Sequence, residues 1–549
     1  LALCSTNILP QTVFAEEFTS GNPEEVSEEE TPEVFTDENQ ESAGETEEEL
    51  SVFSEGTSEF EDNNNETNKP NEEPQIVDVD LTSDSITGNV YTIASGDTAY
   101  RFTSNGTETS NRITISDTIT AAKSICIYLK NVNIKTSEGP ALLIPEKLNA
   151  KVHIYLEGEN VLKTSNRNSA ALQKENTFNL IIDNAPNSAG SLTATAIDDN
   201  NCAGGAGIGG AANRIGKNIT IKGGAITVKS IYGAGIGGGY MGNGEDITIE
   251  GGFINAESIY GAGIGGGSNG NGGYPSQGVC YASNIIISGG KIITTSSAGA
   301  GIGGGSYSYG SNINIFGGLI TASSKFEAGI GGKYKNNEGS STIISNGLIT
   351  ASSQSNKDIS GDNITISGGF VKAAKLGCQP KNSSSQEVYR CIIENPEKAN
   401  VTIKTEIGNL IWEGESVNHS SLDPDDTNLY VWLPKPEDAS ENSYYTIILK
   451  SETSSGFRTR NYSFDTDTNT FKARQVVNDF VFKSPAYTTY NGEPKEASLE
   501  FKFKPTPEND REISLVYYKG NYDDIKDTTE PLQGAPANAV SYTHLTLPT

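Results

Sequence analysis

Acid–base cleavage of a polymer needs clustered carboxylates with a histidine, lysine or arginine beside them. The glycine-rich stretch 203–373 holds no histidine, one arginine (Arg214) and three aspartates, Asp246, Asp358 and Asp362. Asp198 and Asp199, just before it, are the best remaining pair. That is sparse equipment for catalysis, so no catalytic residue is assigned and the expectation is a protein that is not an enzyme. Aromatic residues are better placed. Tyr240, Tyr274, Tyr307, Tyr309 and Tyr334 decorate glycine-rich loops, and a ring with an apolar body and a polar tip can pack on a sugar ring. These five are the candidate carbohydrate-binding residues. Tyr232, Tyr260 and Phe326 directly precede the glycine-rich segments and read first as a stack filling a corner.

Other chemical motifs fail on context. Gly233-Ala-Gly-Ile-Gly-Gly238 matches a dinucleotide fingerprint in letters, yet it recurs without the strand–loop–helix setting that such a site needs. Asp465-Thr-Asp467-Thr-Asn469 opens like a calcium loop, but Thr470 replaces the glycine and Val476 the closing glutamate, so a polar hairpin turn is expected. Asp423, Asp425 and Asp426 read as a solvated loop. Five cysteines follow the first fifteen residues, at 126, 202, 280, 378 and 391, without the CxxC spacing of a zinc site. Only Cys378 and Cys391 are close enough in sequence to suggest a loop-closing disulfide.

The elements that must position these residues are set by an internal repeat. Gly205-Ala-Gly-Ile-Gly-Gly210 recurs from Gly233, Gly261, Gly299 and, with glutamate first, Glu327, in steps of 28, 28, 38 and 28 residues. Between copies runs Asn218-Ile-Thr-Ile-Lys-Gly-Gly-Ala-Ile-Thr-Val228, returning around Ile247, Ile285, Ile313 and Ile364, with a degenerate copy through Ile343-Ile344. The period-two alternation predicts strands with isoleucines on one side. A unit this short cannot bury its own apolar face, so units must stack, ~4.8 Å apart. Ile219, Ile247, Ile285, Ile313 and Ile364 are then one internal ladder in an all-β solenoid of three strands per coil. Asn218, Asn284, Asn312 and Asn363 share a corner position, with Asp246 as a cap to their ladder.

These units resemble those of large surface proteins of Gram-positive bacteria built on pectate-lyase-like right-handed parallel β-helices. Less specifically, they are similar to the parallel β-helix carbohydrate-binding domains of that group. The resemblance implies a polysaccharide or glycan partner, acidic plant polysaccharides among them, calcium as a cofactor, and a monomeric rod at the cell surface or wall.

Regular repeats cover about 205–373, and weaker strands such as Ile125–Leu129 and Val152–Tyr155 carry the β-helix over 76–395. Residues 396–474 read as a β-rich capping or linking domain. Residues 475–539 resemble the MBG-type β-rich modules of bacterial surface proteins. Val540–Thr549 look like a translated sequencing adapter and are set aside. Residues 1–15 read as the remnant of a secretory signal, and 16–75 as a disordered acidic spacer with 22 Asp and Glu against one Lys. The rest of the chain has 48 acidic and 38 basic residues, with no basic patch for a nucleic acid. No stretch after residue 15 approaches the ~18 apolar residues of a membrane span.

Overall fold

The computed structural model describes residues 75–415 apart from 97, 120–123, 199–201, 271–279, 333–339 and 394–398. It also describes 428–436, 443–451, 457–474 and the strands at 480–483, 498–501, 516–518 and 544–546. The signal remnant, the acidic segment to residue 74, Tyr274, Tyr334, Asp199, Asp423, Asp425 and Asp426 lie outside the described residues.

Alternation builds the elements. In Ala225–Ser230 the side chains of Ile226, Val228 and Ser230 turn inward while Ala225, Thr227 and Lys229 turn outward. Strands follow one another round three faces. First-face strands include Gly216–Ile221, Gly244–Ile249, Tyr281–Ile287 and Tyr309–Ile315. The second face holds Ala225–Ser230, Phe253–Ser258, Lys291–Ser296 and Leu319–Ser324. The third is nine-stranded and includes the two-residue strands Ile208–Gly209, Ile236–Gly237, Ile264–Gly265, Ile302–Gly303 and Ile330–Gly331. Each strand pairs in parallel with its equivalent one coil away. The body is a parallel β-helix, and among the described residues there is no α-helix.

The core is a set of ladders. Ile219, Ile247, Ile285 and Ile313 lie in register and are fully buried. The ladder then passes through Thr342, from the degenerate repeat, before reaching Ile364. Ile208, Ile236, Ile264, Ile302 and Ile330 form a second ladder on the third face. Each isoleucine removed from water contributes roughly 1.5–3 kcal/mol. Gly237 shows what the repeat's glycines permit. Its φ is +132°, and a Cβ there would collide with the Gly265 carbonyl on the next coil.

The asparagine ladder is partly as expected. Asn218, Asp246, Asn284 and Asn312 adopt left-handed φ of 52–55° at a bulge that the strand register skips. Asn284 donates to Asp246 Oδ1 at 2.6 Å, so Asp246 accepts at the end of the row, and Asn312 donates to Asn284 at 3.4 Å. Asn363 is different: it pairs with Ser341 within the strand register.

Beyond the last coils the chain forms a seven-stranded, mostly antiparallel sheet, with Leu410–Glu415 at one edge and Leu429–Pro434 at the other. Its core of Cys391, Val401, Val431, Ile447 and Phe471 takes in Leu348 and Phe370 from the second face of the solenoid. The indole of Trp432 donates to the Val371 carbonyl at 3.0 Å, and Trp412 meets Phe370 edge to face at 5.1 Å. Solenoid and sheet lie within one compact unit, Glu73–Gln475. Outside it, Phe480–Lys483 pairs with Ser498–Phe501, and Val516–Tyr518 with His544–Thr546, both antiparallel. The expected disulfide does not form: Cys378 and Cys391 are free thiols, and Cys391 is wholly enclosed in the sheet core.

Candidate functional site

The candidate tyrosines separate into two groups according to the coil positions that carry them. Tyr232 and Tyr260 hold the same place on successive coils, and their rings stack at 4.6 Å and 10°. Tyr240 closes the side of that stack, edge-on to Tyr232 at 5.4 Å. Tyr232 and Tyr260 form the stack that the sequence suggested, with one candidate joined to it, and Tyr260 remains 38% exposed; Phe326, the third expected member, is 53% exposed with Lys325 over its ring at 5.1 Å. Tyr309 lies on a first-face strand rather than in a loop, and stacks on Tyr281 at 5.7 Å. The Tyr281 phenol is pushed up to about 12 by its hydrogen bond to Glu245, with burial adding to the effect. Tyr307, with a left-handed φ of 58°, is 43% exposed. The structure therefore does not gather Tyr240, Tyr307 and Tyr309 into one cluster.

A tighter arrangement lies on the outward side of the first face, in the coils before the regular repeat. Strand register aligns Asp78, Arg101, Tyr128, Tyr155 and Asp183 on five successive coils. Lys222 follows Ile221, the partner of Ile182, and so stands beside Asp183. The Arg101 guanidinium lies over Tyr128 at 5.8 Å, and Tyr128 stacks on Tyr155 at 4.8 Å and 19°. His153 lies against Tyr155 at 3.9 Å, in register with Cys126 on the preceding coil. Because the rings cover one another's faces, the strip presents edges and hydroxyls outward. Burial holds the Tyr128 and Tyr155 phenols above their usual range, so both carry their protons. Burial also lowers the His153 imidazole, opposed by Asp183 and reinforced by Lys222, and its Nε2 has no hydrogen-bond partner.

Three of the aspartates that raised the question of catalysis, Asp198, Asp246 and Asp358, are committed to structural hydrogen bonds. Asp198 accepts from the Cys202 amide, and Asp246 belongs to the asparagine row. Asp358 is buried and accepts from the amides of Ser353, Ala374 and Lys375 at 2.7–2.9 Å, a structural carboxylate. Asp465 accepts from the amides of Asp467 and Thr468 and pairs with Lys472 at 2.5 Å, which holds its carboxyl down at about 2. It is the polar hairpin turn that the sequence indicated. Glu327, the one departure from glycine in the repeat, is pushed up to about 7 by burial, with Asn356 donating to it at 3.2 Å. Among the described residues no three His, Cys, Asp or Glu side chains converge as a metal site. Nor, among the described residues, is any helix long and apolar enough to cross a membrane.

The strip escapes a reading of repeats because its residues differ in type from coil to coil. The signal was present: Arg101, Tyr128, Tyr155 and Asp183 are spaced by 27, 27 and 28 residues, one coil each.

Comparison with known proteins agrees with this architecture. A family model described as a beta helix repeat matches residues 247–268 and 313–332, which lie within the stacked coils. Nothing matches among curated proteins, and nothing among solved structures. Strand register and repeat match coincide: the body of this chain is a parallel β-helix, and two stretches of its stacked coils match the repeat model.

Proposed function

We propose that the chain is an exported cell-surface scaffold whose β-helix binds a polysaccharide along its outward faces. The observation that carries this reading is the in-register strip of Arg101, Tyr128, Tyr155, His153, Asp183 and Lys222. Hydroxyl, imidazole and charged groups there repeat at ~4.8 Å, the spacing of the coils, which suits a ligand that is itself a linear repeat. The tyrosine groups at Tyr240, Tyr307 and Tyr309 offer further contacts on later coils, and several weak contacts to one polymer add up through avidity. Placement at the cell surface or wall rests on the signal-like residues 1–15 and the acidic spacer. The test is binding of the purified chain to a panel of plant and host glycans. Replacing Tyr128 and Tyr155, or Tyr240, Tyr307 and Tyr309, by alanine should weaken binding at least ~tenfold, about 1.4 kcal/mol. No binding across the panel contradicts the proposal.

One observation favours a second reading, a polysaccharide lyase or hydrolase. His153 packs on Tyr155 with Asp183 on the next coil, so titratable groups do meet on this face. Unsaturated products or new reducing ends from pectins or glycosaminoglycans, with or without calcium, would favour it over a binding scaffold.

A further inference from the structure

Several outward cations of the solenoid pair with carboxylates on neighbouring coils. Arg101 pairs with Asp78 at 3.3 Å, Lys130 with Glu157 at 2.5 Å, Lys222 with Glu250 at 3.4 Å and Lys229 with Glu257 at 2.8 Å. Arg214 reaches Glu146 at 3.4 Å, and Lys291 lies over the ring of Phe253 at 5.8 Å. A polyanion gains affinity by lining up with cations and releasing counterions. At these pairs it would meet the carboxylate partner of the cation as well. The strip is the sharpest case. Its two cations, Arg101 and Lys222, stand among three carboxylates, Asp78, Asp183 and Glu250, giving a formal charge of −1. Between the charged ends lie two protonated phenols, groups that both donate and accept hydrogen bonds. That inventory matches sugar hydroxyls, which also do both.

We propose that the first-face strip from Arg101 to Lys222 takes a neutral, hydroxyl-rich polysaccharide in preference to a uronate, sulfated or phosphorylated one. The inference rests on the glycan-binding reading and specifies its ligand class. It also departs from the acidic polysaccharides that the family resemblance implied. Ion pairs facing water contribute little to stability, but here they set specificity by repelling the wrong polymer.

The experiment compares the purified chain on a soluble mixed-linkage β-glucan and a galactomannan with polygalacturonate and heparin. The account expects binding to at least one neutral polymer, with affinity changing less than about twofold between ~0.05 and ~0.5 M salt. Tyr128→Phe with Tyr155→Phe keeps both rings and removes both hydroxyls; it should weaken neutral-polymer binding by roughly tenfold while leaving the melting temperature near wild type. Lys229→Gln with Glu257→Gln, on the second face, should leave it unchanged. Binding confined to the anionic polymers, or lost steeply as salt rises, overturns the neutral-ligand inference and leaves the glycan-binding reading standing. Neutral-polymer binding untouched by the two phenylalanine substitutions overturns the placement at the strip. Failure of all four polymers overturns this inference together with the reading beneath it.

Discussion

The Ser258 hydroxyl, turned into the solenoid, donates to the carbonyl of Gly233 one coil away at 2.8 Å. The same contact recurs from Ser230 to Gly205, Ser296 to Gly261, Ser324 to Gly299 and Ser353 to Glu327, at 2.5–2.7 Å. Ser230, Ser258, Ser296 and Ser324 each sit three residues before their own coil's glycine-rich segment. Ser296, Ser324 and Ser353 also accept from the amide three residues on, at 2.9–3.0 Å. This row joins successive coils through the buried corner where the main chain would otherwise leave carbonyls unpaired.

Ser258→Ala should therefore cost about 1–3 kcal/mol, the penalty of leaving a buried carbonyl without its donor. Ser258→Thr should be better tolerated, because Thr164 makes the equivalent bond to Gly139 at 2.6 Å. Chemical denaturation of the three proteins measures both.

Thr342 occupies an inward place in the isoleucine ladder between Ile313 and Ile364, and its hydroxyl has no hydrogen-bond partner. Thr342→Val keeps the shape and removes the stranded polar atom, and should stabilise the fold by about 1–2 kcal/mol. Ile247→Ala in the same ladder should destabilise it by about 2–5 kcal/mol by opening a cavity. Opposite signs for two substitutions on one row are read from their unfolding midpoints.

Glu327 gives the fold a pH dependence. Burial raises its carboxyl from the ordinary 4.5 to about 7. Between those values the unfolded chain has released the proton while the folded chain keeps it. This contribution to stability is full below about pH 4.5, falls as pH rises towards 7, and is lost above. Glu327→Gln should flatten that slope, so the stability gap between variant and wild type should widen from pH 5 to pH 7.5 in the variant's favour.

Lys174 acts in the opposite direction. Its ammonium is enclosed with one hydrogen bond, to the Asn176 carbonyl at 2.7 Å, and burial lowers its pKa to about 7. The unfolded chain binds the proton up to the ordinary 10.5, so stability should rise with pH between about 7 and 10.5. Lys174→Met should remove that rise, as thermal unfolding across the range would show.

The fold was legible wherever the repeat is regular. Isoleucines two apart, recurring every 28 residues, leave few arrangements other than stacked coils, and Ile219, Ile247, Ile285 and Ile313 stack as read. Legibility fails where identity changes while register holds. Thr342 takes an isoleucine's place, and Arg101, Tyr128, Tyr155 and Asp183 share a column without sharing a residue type. A repeat search finds like letters, whereas a site built across coils is made of unlike ones. Tyr309 was misplaced for a related reason: the first-face strand begins earlier in its coil than the isoleucine pattern shows.

Everything above depends on coil-to-coil register, and cross-linking reads it directly. Thr227 and Asn255 are parallel partners on the outward second face, while Glu257 lies two residues further along the same strand. A disulfide needs Cα atoms about 4.4–6.8 Å apart. Thr227→Cys with Asn255→Cys should oxidise to an intrachain link identified by peptide mass, and Thr227→Cys with Glu257→Cys should not. A link in the second pair and none in the first would contradict the stacked-coil account.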